Sequence, residues 1–184
     1  MAQSRVIILN GVGSVGKSST ARALQTLTAE PFLHVAMDAF IDMLPQTMLG
    51  HPDGLLFEPT VKEGMPSITA KTGPVFERVM SGMRHAIAAM AAQGNNLIVD
   101  DVMLGGEERE YRSLLADFEP KFVGLFAPLE LLERRERDRG DRMPGLARWQ
   151  YTRVHRSIAY DLEIDTSVTT AIQSAQIVRD TFDL

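Results

Sequence analysis

The chain has 184 residues, with 19 Lys and Arg against 24 Asp and Glu, a formal net charge of −5, 45% apolar residues and no cysteine. That length and balance fit one domain with a full core and exclude a disordered, collagen-like or fibrous chain. Mild acidity spread along the sequence argues against a nucleic-acid binder, which needs a basic face, and the missing cysteines exclude disulfides, thiolate metal sites and a cysteine nucleophile.

The apolar run Val6 to Leu9 predicts a strand buried on both faces, followed by a turn from Gly11 to Gly16. Lys17 to Leu27 reads as a helix, with Ala21, Leu24 and Leu27 at helical spacing. Phe32 to Met37 is a second short strand ending at Asp38, and Ala39 to Leu49 a helix that Pro45 must kink or end. Residues 50–74 hold Gly50, Gly54, Gly64 and Gly73 with Pro52, Pro59, Pro66 and Pro74, a density of breakers that predicts a long irregular segment.

Val75 to Gln93 carries one apolar stripe and reads as a helix with Gly94 as its C-cap. Leu97 to Val99, with Asp100 and Asp101 at its end, is a third strand, and Lys121 to Ala127 a fourth. Pro128 opens a charged helix running toward Arg139, which Gly140 and Pro144 break. Gly145 to Tyr160 reads as helical again, Leu162 to Ile164 as a fifth strand, and Ser167 as the cap of a final helix to Phe182. Strands alternating with helices predict an α/β fold: a parallel sheet covered on both faces, with binding sites beyond the carboxyl ends of its strands.

GVGSVGKS, Gly11 to Ser18, matches G-x-x-x-x-G-K-[ST] in full. Glycines let successive backbone N–H groups turn inward around an anion, and the helix opening near Lys17 points its positive end at it. Lys17 can bridge the β- and γ-phosphates of ATP, and Ser18 can place its hydroxyl on Mg²⁺. Chance would produce such a match in a chain this long about once in a hundred, and here it also follows a strand and opens a helix.

Asp100 and Asp101 end an apolar strand, where a carboxylate can support Mg²⁺ through water. Asp100 is favoured because it directly ends the apolar run, and the alternative for either is capping of the next turn. Asp38 can accept the proton of an attacking hydroxyl, orient that hydroxyl, or simply cap the helix that follows. Between Glu130 and Arg142, the pairs Glu130/Arg134 and Glu133/Arg137 at i,i+4 predict a self-paired, solvated helix face. Arg139 and Arg142 flank Gly140, where arginines suit a lid closing over transferring phosphates; Arg135 and Arg137 lie further back. His34, His51, His85 and His155 lack metal-ligand spacing and read as structural or surface residues. Met43, Leu44, Met48, Leu55, Leu56 and Phe57 can wall an apolar pocket or tuck onto the core.

VIILNGVGSVGKSS, VAMDAF around Asp38, IVDDVMLGG at 98–106, RDRGDRMPGLA at 137–147 and YDLEIDTS at 160–167 together resemble the chloramphenicol phosphotransferase family, P-loop kinases that phosphorylate the antibiotic's primary hydroxyl with ATP. The resemblance spans nearly the whole chain in the same order. It implies a five-stranded parallel sheet with an arginine-bearing lid at about 134–150, a general base at Asp38, and a phosphate loop at Gly11, Val12, Gly13, Ser14, Val15, Gly16, Lys17, Ser18 and Ser19. It puts the lid arginines at Arg137, Arg139 and Arg142. Gly13 departs from the family's usual serine, and the acceptor-site segment 44–74 differs in length and composition.

The expectation is therefore a single-domain, cytoplasmic, ATP- and Mg²⁺-dependent phosphotransferase. Its partner is a small-molecule hydroxyl acceptor, with no nucleic acid and no membrane, and a homo-oligomer is compatible with the sequence. The apolar N-terminal run is too short for a signal peptide or membrane span. Lys17, Asp38 and Arg139 are the expected catalytic residues, and Ser18 with Asp100 or Asp101 the metal site. The rivals are a metabolite kinase of the shikimate, gluconate or nucleoside type, which a polar acceptor pocket would favour, and a non-catalytic nucleotide-dependent regulator. The guanine-specifying string N-K-x-D is absent.

Overall fold

The computed structural model describes residues 4–62, 64–140 and 143–184. Its elements run β1 (Val6–Asn10), α1 (Lys17–Leu27), β2 (Phe32–Ala36), α2 (Met37–Ile41), β3 (Leu55–Lys62), β4 (Met65–Thr72), α3 (Pro74–Ala92), β5 (Asn96–Asp101), α4 (Glu107–Leu114), β6 (Lys121–Phe126), α5 (Leu129–Arg139), α6 (Leu146–Tyr151), β7 (Leu162–Asp165) and α7 (Ala171–Phe182). Five strands form a parallel sheet in the order β2-β5-β1-β6-β7.

β1 is apolar until Asn10 and buried along its whole length, so it accepts neighbours on both edges and cover on both faces. Its alternation divides the core. Ile7 and Leu9 join Leu24, Val123, Leu125 and Val178 beneath α1 and α7. Val6 and Ile8 join Met83, Ile87, Val99, Tyr111 and Phe122 beneath α3 and α4. Each such side chain removed from water contributes about 1.5–3 kcal/mol, so the two layers hold the sheet rigid behind the carboxyl ends of its strands.

The segment expected to be irregular is an antiparallel hairpin of β3 and β4. The breakers sit where a hairpin uses them. Gly64 turns the tip with φ 76°. At the base, a Cβ on Gly73 would run into the Pro52 carbonyl oxygen, and the Gly73 N–H donates to Gly54 O at 2.8 Å. Pro59 and Pro66 are tolerated because both strands of a two-stranded ribbon are edges. Leu55 and Phe57 lie opposite Thr72 and Ala70, so these four share one face, and β4 packs against α6.

Other elements also differ from the sequence expectation. The helix after β2 covers only Met37–Ile41, with a separate 3₁₀ turn at Gln46–Met48, because the position before Pro45 resists α conformation. α6 stops at Tyr151 and turns follow. The final helix is capped by Thr170 in a capping box with Gln173, not by Ser167. α4 was not expected at all: its sequence is almost entirely polar, and Tyr111 is its one buried residue.

α5 and α6 are locked together. Glu136, buried to 4% exposure, accepts from Gly145 N at 2.8 Å and Ala147 N at 2.7 Å, filling the N-terminus of α6 with a carboxylate. Glu133 pairs with Arg148 at 2.6 Å and not with Arg137 as the i,i+4 spacing suggested. Replacing Glu136 by Ala strands two buried N–H groups and is expected to lower unfolding stability by about 2–4 kcal/mol. Glu136→Gln, which keeps one acceptor, should cost about half as much. Denaturant melts of both variants check this, and an unchanged midpoint for the alanine variant would show that α6 is held by other contacts.

Candidate active site

The chain leaves β1 through Asn10, which is wholly buried and uses every polar atom it has. Its Nδ2 donates to Val154 O at 2.7 Å and to the Tyr160 hydroxyl at 2.6 Å, and its Oδ1 accepts from Met103 N at 2.9 Å. The Tyr160 hydroxyl in turn meets His155 Nδ1 at 2.7 Å. Burial and the Lys17 charge bring the His155 ring down to about 4, so it is neutral, while burial pushes Tyr160 up to about 12. His155 is structural, as expected.

From this anchor the loop Gly11 to Ser18 curls back on itself. Ser14 has φ 65°, and Gly16, the N-cap of α1, has φ 107°, a left-handed value that a side chain would strain. Lys17 Nζ donates to Gly11 O at 2.8 Å and Val12 O at 3.3 Å. Thr166 Oγ1 donates to Val15 O at 2.8 Å, with Arg135 behind it: Nη2 to Thr166 O at 2.8 Å and Nη1 to Val15 O at 3.4 Å. Gly13 N donates to Gln150 Oε1 at 2.7 Å. The Ser14 hydroxyl oxygen is buried with no partner in the structure among the described residues. An orphaned hydroxyl inside a concave loop at a helix N-terminus fits an anion such as a phosphate.

Adjacent strand residues face opposite ways, and that separates the two aspartates. Asp100 turns to the loop: Ser18 Oγ donates to its Oδ2 at 2.5 Å, and Lys17 Nζ lies 3.9 Å from Oδ1. His34 Nε2 is 3.6 Å from Oδ2, beyond hydrogen-bond length. Burial pushes Asp100 up, but the His34 ring, the Lys17 charge and the Ser18 hydroxyl outweigh it and hold the carboxyl below its ordinary value. Asp101 turns to the opposite core layer, where its Oδ2 accepts from the Tyr111 hydroxyl at 2.7 Å and its Oδ1 from Val102 N at 2.7 Å. Burial raises it despite these bonds. Asp101 thus faces away from Ser18 and Lys17, its Oδ2 fastening α4 to β5 and its Oδ1 capping the turn at Val102, so the metal role expected of either aspartate is left to Asp100.

The paired oxygens of Ser18 and Asp100 suit a hard cation such as Mg²⁺. No cluster of three or more His, Cys, Asp or Glu side chains stands ready to hold a metal among the described residues. A divalent ion here would need phosphate oxygens and water to complete its shell.

Two cavities meet at the loop. The first is lined by Gly13, Lys17, Ser18, Asp38, Asp100 and Arg139 at one end. Its remaining wall is mostly apolar, with Met37 and Ile41 from α2, Leu55, Phe57 and Ala70 from the hairpin, Phe76, Val102, Leu104, and Leu146 and Trp149 from α6, and it also carries the polar side chains of Thr72 and Gln150. The second lies on the other side of the loop, between Ser14, Gly16 and Ser19 and the residues Arg135, Thr166, Thr169 and Thr170. Ser14, Gly16, Ser19 and Arg139 border both.

Asp38 is exposed at the second position of α2 and borders the first cavity. The N-cap position falls to Ala36 and no side chain caps that end, so Asp38 does not have the capping role. Arg139 reaches both cavities from the last residue of α5, whereas Arg137 is exposed and borders neither. Arg142 lies outside the described residues. Leu55 and Phe57 do wall the cavity, while Leu44 and Met48 join a small core with Phe76 and Met80, and Met43 is exposed.

Sequence reading missed Gln150, Thr166 and the bracing role of Arg135. Each meets the loop from more than a hundred residues away in the chain, and neither Gln nor Thr belongs to any motif there. The apolar face of the hairpin was visible only as scattered residues, because alternation identifies a wall once the register is known.

The model of the family described as "Chloramphenicol phosphotransferase-like protein" matches residues 4–183. "Putative O-phosphotransferase Rv2636" of Mycobacterium tuberculosis strain H37Rv is 33% identical over 99% of this chain and 84% of its own length, as is its counterpart in strain CDC 1551. In fold the chain is similar to the Mycobacterium tuberculosis APS kinase CysC solved with AMPPNP and APS, at TM-score 0.69 and 16% identity with both chains fully covered. It is also similar to a sugar kinase of Janibacter sp. HTCC2649, at TM-score 0.65 and 17% identity over 98% of this chain and 95% of that one. The chain is a phosphotransferase of the P-loop type and belongs to the chloramphenicol phosphotransferase-like family.

Proposed function

We propose that this enzyme moves the terminal phosphoryl group of ATP to an alcohol carried by a small molecule with an apolar or aromatic body, chloramphenicol or a compound of that kind. The observation that carries the reading is the pair of cavities with the phosphate loop between them. The nucleoside of ATP would sit among Arg135, Thr166 and Thr170, its phosphates would cross the loop, and the acceptor would lie in the apolar cavity with its hydroxyl toward Asp38. The predominantly apolar wall speaks against the rival with a polyhydroxylated or acidic acceptor, which would need polar partners all along it.

Each residue then has a task set by its position. The inward N–H groups of the loop and Lys17 hold the phosphates, and Arg139 lies where charge spreads as the group transfers. Asp38 orients the acceptor hydroxyl and takes its proton. Ser18 would ligate Mg²⁺ directly and Asp100 through water; when bound, the ion neutralises charge on the β- and γ-phosphate oxygens. The hairpin and α6 keep water away from the transferring group. No covalent enzyme intermediate is needed, since positioning and electrostatics suffice.

Lys17→Ala is expected to lower turnover by at least about 10²-fold while the protein still melts cooperatively. Full activity in that variant would remove the nucleotide assignment. Asp38→Asn should lower kcat by about 10²–10⁴-fold with ATP affinity unchanged, and an unaltered kcat would take the proton elsewhere. The reading as a whole is tested by ADP release from ATP and Mg²⁺ across a panel of alcohols, with mass detection of the product. The panel runs from chloramphenicol and other aryl alcohols to sugars and hydroxy acids. Phosphorylation of the apolar alcohols is the expected outcome, and turnover confined to sugars or hydroxy acids would overturn the acceptor class.

A further inference from the structure

Gln150 sits at the C-terminal end of α6, 7% exposed, on the same short helix as Leu146 and Trp149, which wall the acceptor cavity. Its Oε1 accepts from Gly13 N at 2.7 Å. That bond fixes the amide's orientation, because a backbone N–H needs an acceptor and a flipped amide would set N–H against N–H. The Nε2 group, with two donors, therefore points away from the loop backbone. Among the described residues it has no hydrogen-bond partner, nor is it a buried atom left without one. The cavity it borders is the one that also holds Lys17, Asp38, Asp100 and Arg139.

Gly13 belongs to the acceptor end of the loop: it borders the apolar cavity and not the nucleoside-side cavity, whereas Ser14, Gly16 and Ser19 border both. A Cβ at position 13 would stand 3.2 Å from Gln150 Oε1, so the glycine lets the amide approach closely. We infer that Gln150 is a further catalytic residue, whose Nε2 donates to an oxygen of the terminal phosphoryl group while its Oε1 is held by the loop. The amide thus serves as a neutral donor fastened by its own carbonyl, reading the phosphate that leaves and not the two that remain. This rests on the nucleotide reading proposed above.

The test compares two ligands by titration calorimetry at one Mg²⁺ concentration: ADP, and a non-hydrolysable β,γ-imido analogue of ATP. Gln150→Glu keeps an oxygen for Gly13 N–H and puts a carboxylate oxygen where Nε2 was; Gln150→Leu removes both contacts. In Gln150→Glu the analogue should bind about 10- to 100-fold more weakly, the range of one hydrogen bond to a charged group, while ADP affinity stays as in the parent. Gln150→Leu should lose the same discrimination even where its melting point falls. Equal weakening of both ligands in Gln150→Glu would make Gln150 a brace of the loop alone, and unchanged binding of the analogue would overturn the inference outright. A parent protein that binds neither ligand would instead sink the nucleotide reading itself.

Discussion

A loop that turns its N–H groups inward around an anion must turn carbonyl oxygens outward, and those carbonyls need donors of their own. The structure answers this at Gly11, Val12 and Val15. Lys17 satisfies the first two, and Thr166 with Arg135 satisfies the third. The braces come from α1, from the end of β7 and from α5, so the cradle keeps its shape only while the sheet, its last strand and α5 stay in register. Left-handed Ser14 and Gly16 could relax if any of these let go. The phosphate site is therefore a property of the fold and not of the eight-residue motif alone.

α6 carries the same dependence to the apolar cavity. Its N-terminus is filled by Glu136, a half-buried Glu133–Arg148 pair ties it to α5, its last turn clips Gly13, and its flank meets β4. A six-residue helix has little stability of its own. Fastened at four points, it places Trp149 and Leu146 in the wall of the same cavity as Leu55, Phe57 and Ala70. Changes in the hairpin would thus be felt at the phosphate loop through one rigid element.

What could be read from the sequence follows from the range of each signal. The parallel sheet and its order of elements were legible because buried strands and amphipathic helices repeat within ten to twenty residues. The loop was legible because its chemistry is contiguous. The hairpin was not: Pro59 and Pro66 look like breakers unless the strands that hold them are known to be edges. Asp100 and Asp101 are chemically identical in a sequence, and only the sheet's alternation gives one to Ser18 and Lys17 and the other to Tyr111. Gln150 and Thr166 carry no local mark at all, since their meaning lies in carbonyl and N–H groups that close only when residues 11–18 and 150–166 come together.

The charge arrangement explains why a chain of net charge −5 can still hold a triphosphate. Among the described residues, Lys17 and Arg139 line one cavity together with Asp38 and Asp100, so the cations there are matched by carboxylates and add no large positive field. Attraction for the phosphates then has to come chiefly from fixed dipoles: the inward N–H groups and the N-terminus of α1, which need no counterion and do not move as charge shifts during transfer. Such dipoles are preorganised and lose little to reorganisation as charge moves from the diphosphate to the transferring group. Asp100, held below its ordinary value by His34, Lys17 and Ser18, stays ionised throughout neutral pH and keeps the Ser18 hydroxyl turned toward it. A site balanced in this way discriminates by geometry, through which oxygens meet which N–H, and not by total charge.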